Sequence, residues 1–301
     1  MSVHGYGNGN GDQPRTEILD ELTQQIGSHG SGEVRLAAVN KAKPLTTVSK
    51  AVVLAGGRGT RLAPYTSILP KPLMPVGDRA ILELVVDQLE MAGITDITFC
   101  VGYLSHLIRA VFDHRQNEGV EIEYVHEHDA LGTAGPLRLV DGLDKTFIAM
   151  NGDVLTNLDY AELVRYHQHH GNVLTIATHE RRIKIDYGVL HVQELGINGN
   201  IQHRITEFQE KPEIVSTVSM GVYVMEPTVV DFVPEGEAFD LPDLVQALLR
   251  AKQPVGAYTY DGLWFDIGRK EDYERAVEEW FGPGNGHVEG HVEGHVYTES
   301  V

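Results

Sequence analysis

The sequence predicts an α/β fold, a mainly parallel mixed sheet flanked by helices with a small antiparallel insertion over its pocket. Three observations predict it. Short apolar runs alternate with stretches of helical spacing from residue 50 to residue 180. Strands interleaved with helices imply βαβ units, and hence a parallel sheet covered on both faces. The first run ends on glycines, where such sheets place their ligands, beyond the carboxyl ends of the strands. Residues 187–225 then break the alternation and read as strands with few helical signals.

Residues 1–14 are rich in Gly and Asn and are expected to be disordered. TEILDELTQQI, residues 16–26, has the spacing of a short helix, with Ile18, Leu19, Leu22 and Ile26 on one face. GSHGSG, residues 27–32, breaks that pattern, and residues 1–48 read as an appendage. Ala51–Ala55 is a buried strand closed by Gly56 and Gly57. Ile81–Met91 is helical, Ile97–Val101 a strand, Leu104–Phe112 helical and Ile122–Val125 a strand. Leu137–Val140 ends another helix, Phe147–Met150 is a strand, and Tyr160–His170 and Val173–Ala177 repeat the alternation. YGVLHV, IQHRITEF and SMGVYVM form the antiparallel insertion, and helix returns over 240–251 and 270–280. The body thus runs from 49 to 281. Residues 282–301 form a flexible tail with a repeating Gly-His-Val-Glu unit.

Composition excludes several function classes. Hydrophobic residues at 42% and charged residues at 22% are ordinary for a globular protein with a large core. A net charge of −19 lacks the basic field that nucleic acid or an anionic membrane requires. No run approaches the roughly 18 apolar residues of a membrane helix. The first residues show no basic-apolar-small progression, so no leader is expected and the cytoplasm is the expected compartment. The single cysteine, Cys100, lies in the apolar run TFCVG and reads as a buried thiol. His126 and His128 flank Glu127, and His167, His169 and His170 cluster, but none has zinc-ligand spacing.

The chemistry concentrates in VVLAGGRGTRLAPYTSILPKPLMPVG, residues 52–77. Gly56, Gly57 and Gly59 let the backbone approach a ligand and turn N–H groups toward phosphate. Arg61 offers a planar, permanently charged fork for phosphate oxygens. Lys71 stands between Pro70 and Pro72, a stiff setting for its ammonium. The segment is no dinucleotide fingerprint, since Leu62 stands where GxGxxG needs its last Gly, and no GK[ST] closes a Walker A loop. An NAD-dependent oxidoreductase is therefore disfavoured.

GGxGTRLxPxT followed by PKPL resembles the sugar-1-phosphate nucleotidyltransferases, or NDP-sugar pyrophosphorylases, over roughly residues 50–281. The resemblance implies a Rossmann-like fold, a nucleoside triphosphate and a sugar 1-phosphate as partners, and Mg²⁺ as cofactor. Arg61 would bind the triphosphate and favour pyrophosphate departure, and Lys71 would contact the phosphates around the reacting phosphorus. Leu54, Ala55, Gly56, Gly57, Gly59 and Thr60 would line the nucleotide. LGTAG, residues 131–135, resembles the segment near base and ribose, with Gly132 and Thr133. Read without the resemblance, it is a helix N-terminus capped by Thr133. Asp153 of NGD and Asp266 of WFDIG match the family's two metal-binding carboxylates. Gly188 of YGV, and Glu210 and Lys211 of FQEKP, match its sugar and sugar-phosphate contacts; a lone Glu-Lys pair would otherwise be a solvated surface pair.

LGTAG and NGD together lean toward guanylyl transfer, with a mannose-, heptose- or cyclitol-type 1-phosphate. Thymidylyl transfer to glucose 1-phosphate is the close alternative. A catalytically silent nucleotide-sugar-binding regulatory subunit is the alternative of another class, and intact Arg61, Lys71, Asp153, Lys211 and Asp266 speak against it. The polar residues after Phe281 carry no hexapeptide repeat, so the short form without a β-helix domain is expected. Homo-oligomerisation is left open.

Overall fold

The computed structural model describes residues 46–113, 119–127, 129–197 and 200–280. The helix expected over 16–26, the tail and His128 lie outside them. In chain order the described strands are β1 Lys50–Ala55, β2 Pro75–Val76, β3 Arg79–Ala80, β4 Asp96–Val101, β5 Glu121–His126, β6 Phe147–Asn151, β7 Val154–Thr156, β8 Leu174–Lys184, β9 Gly188–Ile197, β10 Asn200–Glu210, β11 Glu213–Met225, β12 Val255–Thr259 and β13 Trp264–Asp266. The described helices are α1 Ile81–Met91, α2 Ser105–Phe112, α3 Tyr160–His170, α4 Leu241–Arg250 and α5 Lys270–Glu279.

Seven strands form the central sheet in the order β12-β8-β11-β6-β1-β4-β5. β1 runs parallel to both β4 and β6, β4 parallel to β5, and β12 parallel to β8. β11 alone among these strands runs against its neighbours, β6 and β8. The sheet is thus mixed and mainly parallel, as the alternation predicts.

Side-chain alternation along β1 sorts the core into two layers. Ala51, Val53 and Ala55 join the layer that holds Ile81, Leu82, Val85 and Leu89 of α1, Ile108 and Phe112 of α2, and Leu163 and Val164 of α3. Val52 points the other way, toward Cys100, Ala149 and α4 residues Leu241, Leu244 and Leu248. Each fully buried aliphatic side chain of this kind is worth about 1.5–3 kcal/mol in transfer free energy. Glu83 closes the first turn of α1 by accepting the Ala80 N–H at 2.8 Å. Asp159 caps α3 through the Ala161 and Glu162 N–H groups, and Gly171 ends it in the left-handed region.

Three expectations are corrected. SMGVYVM, expected in the insertion, is the end of β11 and lies in the central sheet between β6 and β8. Leu137–Val140 does not end an α-helix: Gly135–Leu139 is a 3₁₀ turn with Pro136 in its first turn. Proline has no N–H to continue the longer repeat, and Leu137 N–H reaches Ala134 O at 3.0 Å instead. The strand expected over Val173–Ala177 continues to Lys184 as β8, which with β11 carries the chain beyond the sheet into the ribbon of β9 and β10. β9 and β10 form a two-stranded sheet of their own.

Candidate active site

The chain turns from β1 into the glycine loop at Gly56, and β4, β5 and β6 end beside it. A cavity of about 680 Å³ opens there. Leu54, Ala55, Gly56, Gly57, Gly59 and Arg61 line it from the first loop, and Lys71, Gly132, Thr133 and Asp153 from further along the chain. The site is therefore at the carboxyl edge of the parallel strands, and its walls come from segments that are neighbours only in the folded sheet.

The charged centre is built by a short ladder. β7 and β13 pair antiparallel, with Asp266 opposite Val154. Ile267 N–H donates to Asp153 O at 3.3 Å. Asp153, immediately before β7, thus meets Asp266 at the end of β13. The ladder is tied down by Thr156 Oγ1 donating to Leu263 O at 2.8 Å and by Trp264 Nε1 donating to Met220 O at 3.0 Å.

Lys71 stands between the two carboxylates. Its ammonium is ion-paired to Asp153 and lies 3.8 Å from Asp266. The Lys71 side chain is only 11% exposed, and its ammonium is partnered where it is buried. Burial, and then the charge of Asp153, push the Asp266 carboxyl up, while Lys71 and Arg61 pull it down. The net direction for Asp266 is upward, with burial the largest cause. Among the described residues no third His, Cys, Asp or Glu joins them in a metal-holding group. Two carboxylates with open positions fit a cation that takes one or two protein oxygens and completes its shell with water and phosphate, which is how Mg²⁺ is commonly held.

The segment 131–135 is laced to the start of α4. Ala134 and Gly135 N–H groups both donate to Phe239 O at 2.9 Å, and Phe239 N–H donates to Leu131 O at 2.8 Å. Thr133 donates its N–H to Asp240 Oδ1 at 2.9 Å, and its hydroxyl accepts the Leu241 N–H at 2.8 Å. Thr133 therefore caps α4 and not a helix of its own, because the residues after it form the 3₁₀ turn. Gly132 has φ 77°, and a side chain there would run into Phe239 O and Asp240.

Four residues at the cavity carry functional groups that the sequence motifs did not single out. Arg58 lies over the Tyr103 ring at 5.7 Å, and both line the cavity with Asp129 and Glu127. Glu127 faces Gly56 so closely that any side chain at 56 would collide with its carboxylate. Burial pushes the Glu127 carboxyl up, and the Leu131 N–H bond partly opposes this. The absence of a side chain at Gly56 was visible in the sequence; the partner it makes room for was not.

Thr60 starts a 3₁₀ turn and is exposed; it is not among the cavity-lining residues. Gly188, Glu210 and Lys211 also lie outside that lining. Gly188 pairs with Glu210 at the root of the ribbon, and Lys211, at φ 49°, donates its N–H to Tyr187 O at 3.3 Å. All three are exposed.

The nucleotidyl transferase family model matches residues 50–280. The chain belongs to that family. It is 34% identical over 248 residues to the UTP–glucose-1-phosphate uridylyltransferase of Synechocystis sp., a match covering 76% of this chain and 62% of that protein. It is 33% identical over 231 residues to the mannose-1-phosphate guanyltransferase of Aspergillus oryzae, covering 74% and 62%. The chain thus spans about 62% of the length of these relatives. Among solved structures it shares the fold of HddC from Yersinia pseudotuberculosis complexed with GMP-PN, with TM-score 0.59 and 22% identity over 77% of this chain and 100% of that one. It shares it also with UDP-glucose pyrophosphorylase from Acinetobacter baumannii, with TM-score 0.57 and 22% identity over 77% and 93%. The matched residues include the glycine loop, Lys71 and Asp153, which line the cavity, and Asp266, which lies beside Lys71. No helix among the described residues is long and apolar enough to cross a membrane.

Proposed function

We propose that this chain transfers a nucleoside monophosphate from a nucleoside triphosphate to a sugar 1-phosphate, releasing pyrophosphate. The observation that carries the reading is that Lys71 and Asp153 line one cavity with the glycine loop and Arg61, with Asp266 3.8 Å from the Lys71 ammonium. A phosphate oxygen of the acceptor attacks the α-phosphorus in line, a new P–O bond forms, and the bond to the β-phosphate oxygen breaks. The nucleophile is already anionic, so no general base is needed. The chain's task is to hold two polyanions together: the Gly56–Gly59 backbone and Arg61 bind the triphosphate, and Lys71 neutralises charge at the reacting phosphate. Asp153 and Asp266 would hold Mg²⁺, which when bound offsets the charge of the departing pyrophosphate.

GTP is the favoured donor. Glu127 supports this: an ionised carboxylate only accepts hydrogen bonds, and guanine presents two adjacent N–H donors where thymine presents one. The similarity to mannose-1-phosphate guanyltransferases, and the shared fold with a protein complexed with GMP-PN, point the same way. The acceptor is a mannose-, heptose- or cyclitol-type 1-phosphate, with Gly188, Glu210 and Lys211 as its contacts. That assignment rests on the YGV and FQEKP motifs. Pyrophosphate release measured over a matrix of nucleoside triphosphates and acceptor phosphates with Mg²⁺ tests the whole reading. No release with any pair, together with tight nucleotide-sugar binding, would replace it with a silent regulatory subunit.

A further inference from the structure

β8 and β11 leave the central sheet together as an arm with the ribbon of β9 and β10 at its far end. β8 pairs with β12 only from Leu174 to Thr178, and β11 pairs with β6 only from Val222 to Met225. From His179 to Lys184, β8 is paired with β11 alone. A two-stranded hairpin is at best marginally stable by itself, so side chains must set the direction of the arm.

Residues two apart on a strand share a side, so His179 and Arg181 face one way and Glu180 and Arg182 the other. Arg182 is ion-paired to Glu180 and lies 3.5 Å from Glu213, all within the arm. The side of His179 and Arg181 turns to the body. His179 Nδ1 donates to Tyr260 O at 2.8 Å, and its ring lies 5.3 Å from that of Trp264 on β13. Arg181 Nη2 donates to Asp272 Oδ1 at 3.0 Å. The Asp272 side chain is only 14% exposed and lies in the first turn of α5, where the helix dipole favours an anion. Among the described residues, the hydrogen bonds and ion pairs of the arm beyond Arg181 are made within the arm.

The first turn of α5 is a junction. Asp272 follows Asp266 by six positions (272 − 266). Its neighbour Tyr273 donates its hydroxyl at 2.6 Å to Pro75 O, four positions after Lys71 (75 − 71). Beyond Arg181 the arm leads to Gly188 and Glu210, which pair at the root of the ribbon, and to Lys211. One helical turn thus holds the segments that carry Lys71, Asp266 and the acceptor contacts. On the reading that places the acceptor at Gly188, Glu210 and Lys211, we propose that Arg181 is a positioning residue. Its ion pair with Asp272 fixes the angle at which the arm presents the sugar phosphate to Lys71, Asp153 and Asp266. Arg181 is 42% exposed, so the pair adds little to folding stability. Its effect is geometric. Gly188 lies seven positions further out (188 − 181), so a small tilt at the tie becomes a larger displacement there. A misplacement of about 1 Å can cost about 10²-fold in rate.

The test pairs kinetics with a distance measurement on the full chain. Arg181→Ala should raise KM for the acceptor about tenfold, lower kcat and leave KM for the triphosphate within about twofold. Arg181→Lys should fall between, since it keeps the charge and loses the planar fork. Arg181→Asp combined with Asp272→Arg should bring the acceptor KM back to within about threefold of native, because the pair reforms with its partners exchanged. An acceptor KM unchanged in Arg181→Ala overturns the proposal, and so does a rise confined to the triphosphate. Failure of the exchanged pair to recover overturns it too, by assigning Arg181 to direct contact with the acceptor. Spin labels at Gln193→Cys on the ribbon and Asp141→Cys on the body, both exposed positions, report the arm angle with no substrate present. Their distance distribution should broaden in Arg181→Ala and narrow again in the exchanged pair; a distribution that stays narrow overturns the tie. Should Arg181→Ala melt lower than native, the label distances measured below its transition decide. A native chain that shows the broadening on Arg181→Ala but turns over no acceptor would withdraw the reading of the site and leave the tie standing.

Discussion

At the residue scale the decisive feature is an ammonium held by two carboxylates. Asp153 and Asp266 serve one centre, so their losses should not add. Asp153→Asn and Asp266→Asn are each expected to lower turnover by about 10²-fold or more, with the double variant little worse than the weaker single one. Mg²⁺ titrations of the four proteins check this, and two fully multiplicative losses would assign the carboxylates to separate tasks. Glu127→Gln should reduce the preference for GTP over dTTP by about tenfold in kcat/KM, because an amide can pair its carbonyl with one N–H but turns a donor toward the other. An unchanged preference would remove Glu127 from base selection. Lys211→Ala should raise KM for the acceptor and spare triphosphate affinity, by loss of a charge-assisted contact; the reverse pattern would reassign Lys211. The sequence exposed the glycines, Arg61, Lys71 and both aspartates because each sits in a dense local motif. Glu127 escaped notice because its meaning lies across the sheet, on the strand end that faces Gly56.

At the element scale the alternation of apolar runs located nearly every sheet strand and helix, since each buries a continuous stripe. Ile81–Met91 was delimited to the residue, being closed by Glu83 on one side and by Ala92 on the other. The missed strands, β2, β3, β7, β12 and β13, are short, and two pairs of them, β2 with β3 and β7 with β13, take their meaning from pairing with each other. α3 supplies a pH prediction. His167 is buried, with Nδ1 2.9 Å from Thr175 Oγ1 and Nε2 3.0 Å from Glu226. Burial lowers its pKa from the ordinary 6.5, against the opposing pull of Glu226. The folded state thus resists a proton that the unfolded state accepts. Stability contributed by the neutral ring is present above about pH 6.5 and declines as pH falls below it. Melting temperatures between pH 5 and 8 check the sign: His167→Gln should flatten the decline, and a native protein stabilised by acid over this range would contradict the assignment. Cys100 moves in the other direction. Burial and then Glu127 push its thiol up to about 12, so it stays protonated and takes no part in chemistry.

At the scale of the whole molecule, residues 46–49, just before β1, are already part of the body. Thr46 N–H donates to Ala92 O at 2.9 Å, and Val48 is buried in the core at 4% exposure. Residues 46–48, read from composition as part of the appendage, therefore pack with the body. Deleting residues 1–45 should leave turnover and melting temperature unchanged, whereas deleting 1–48 should cost roughly 1–2 kcal/mol through loss of the Val48 side chain. Thermal unfolding of the two truncations separates them. Loss of turnover in a folded protein lacking only residues 1–45 would show that the removed segment completes the site.

The ladder between β7 and β13 also dictates when a growing chain can complete its charged centre. Asp153 and Asp266 lie 113 positions apart (266 − 153), and closing so long a loop gives no return until the strands between them have docked. A nascent chain that has emerged through β7 already carries the glycine loop, Arg61, Lys71 and Asp153, but not Asp266. The second carboxylate arrives only with β13, near the end of the described body. A translation product interrupted before β13 would thus carry the glycine loop, Lys71 and Asp153 without the second carboxylate that the folded sheet sets beside them.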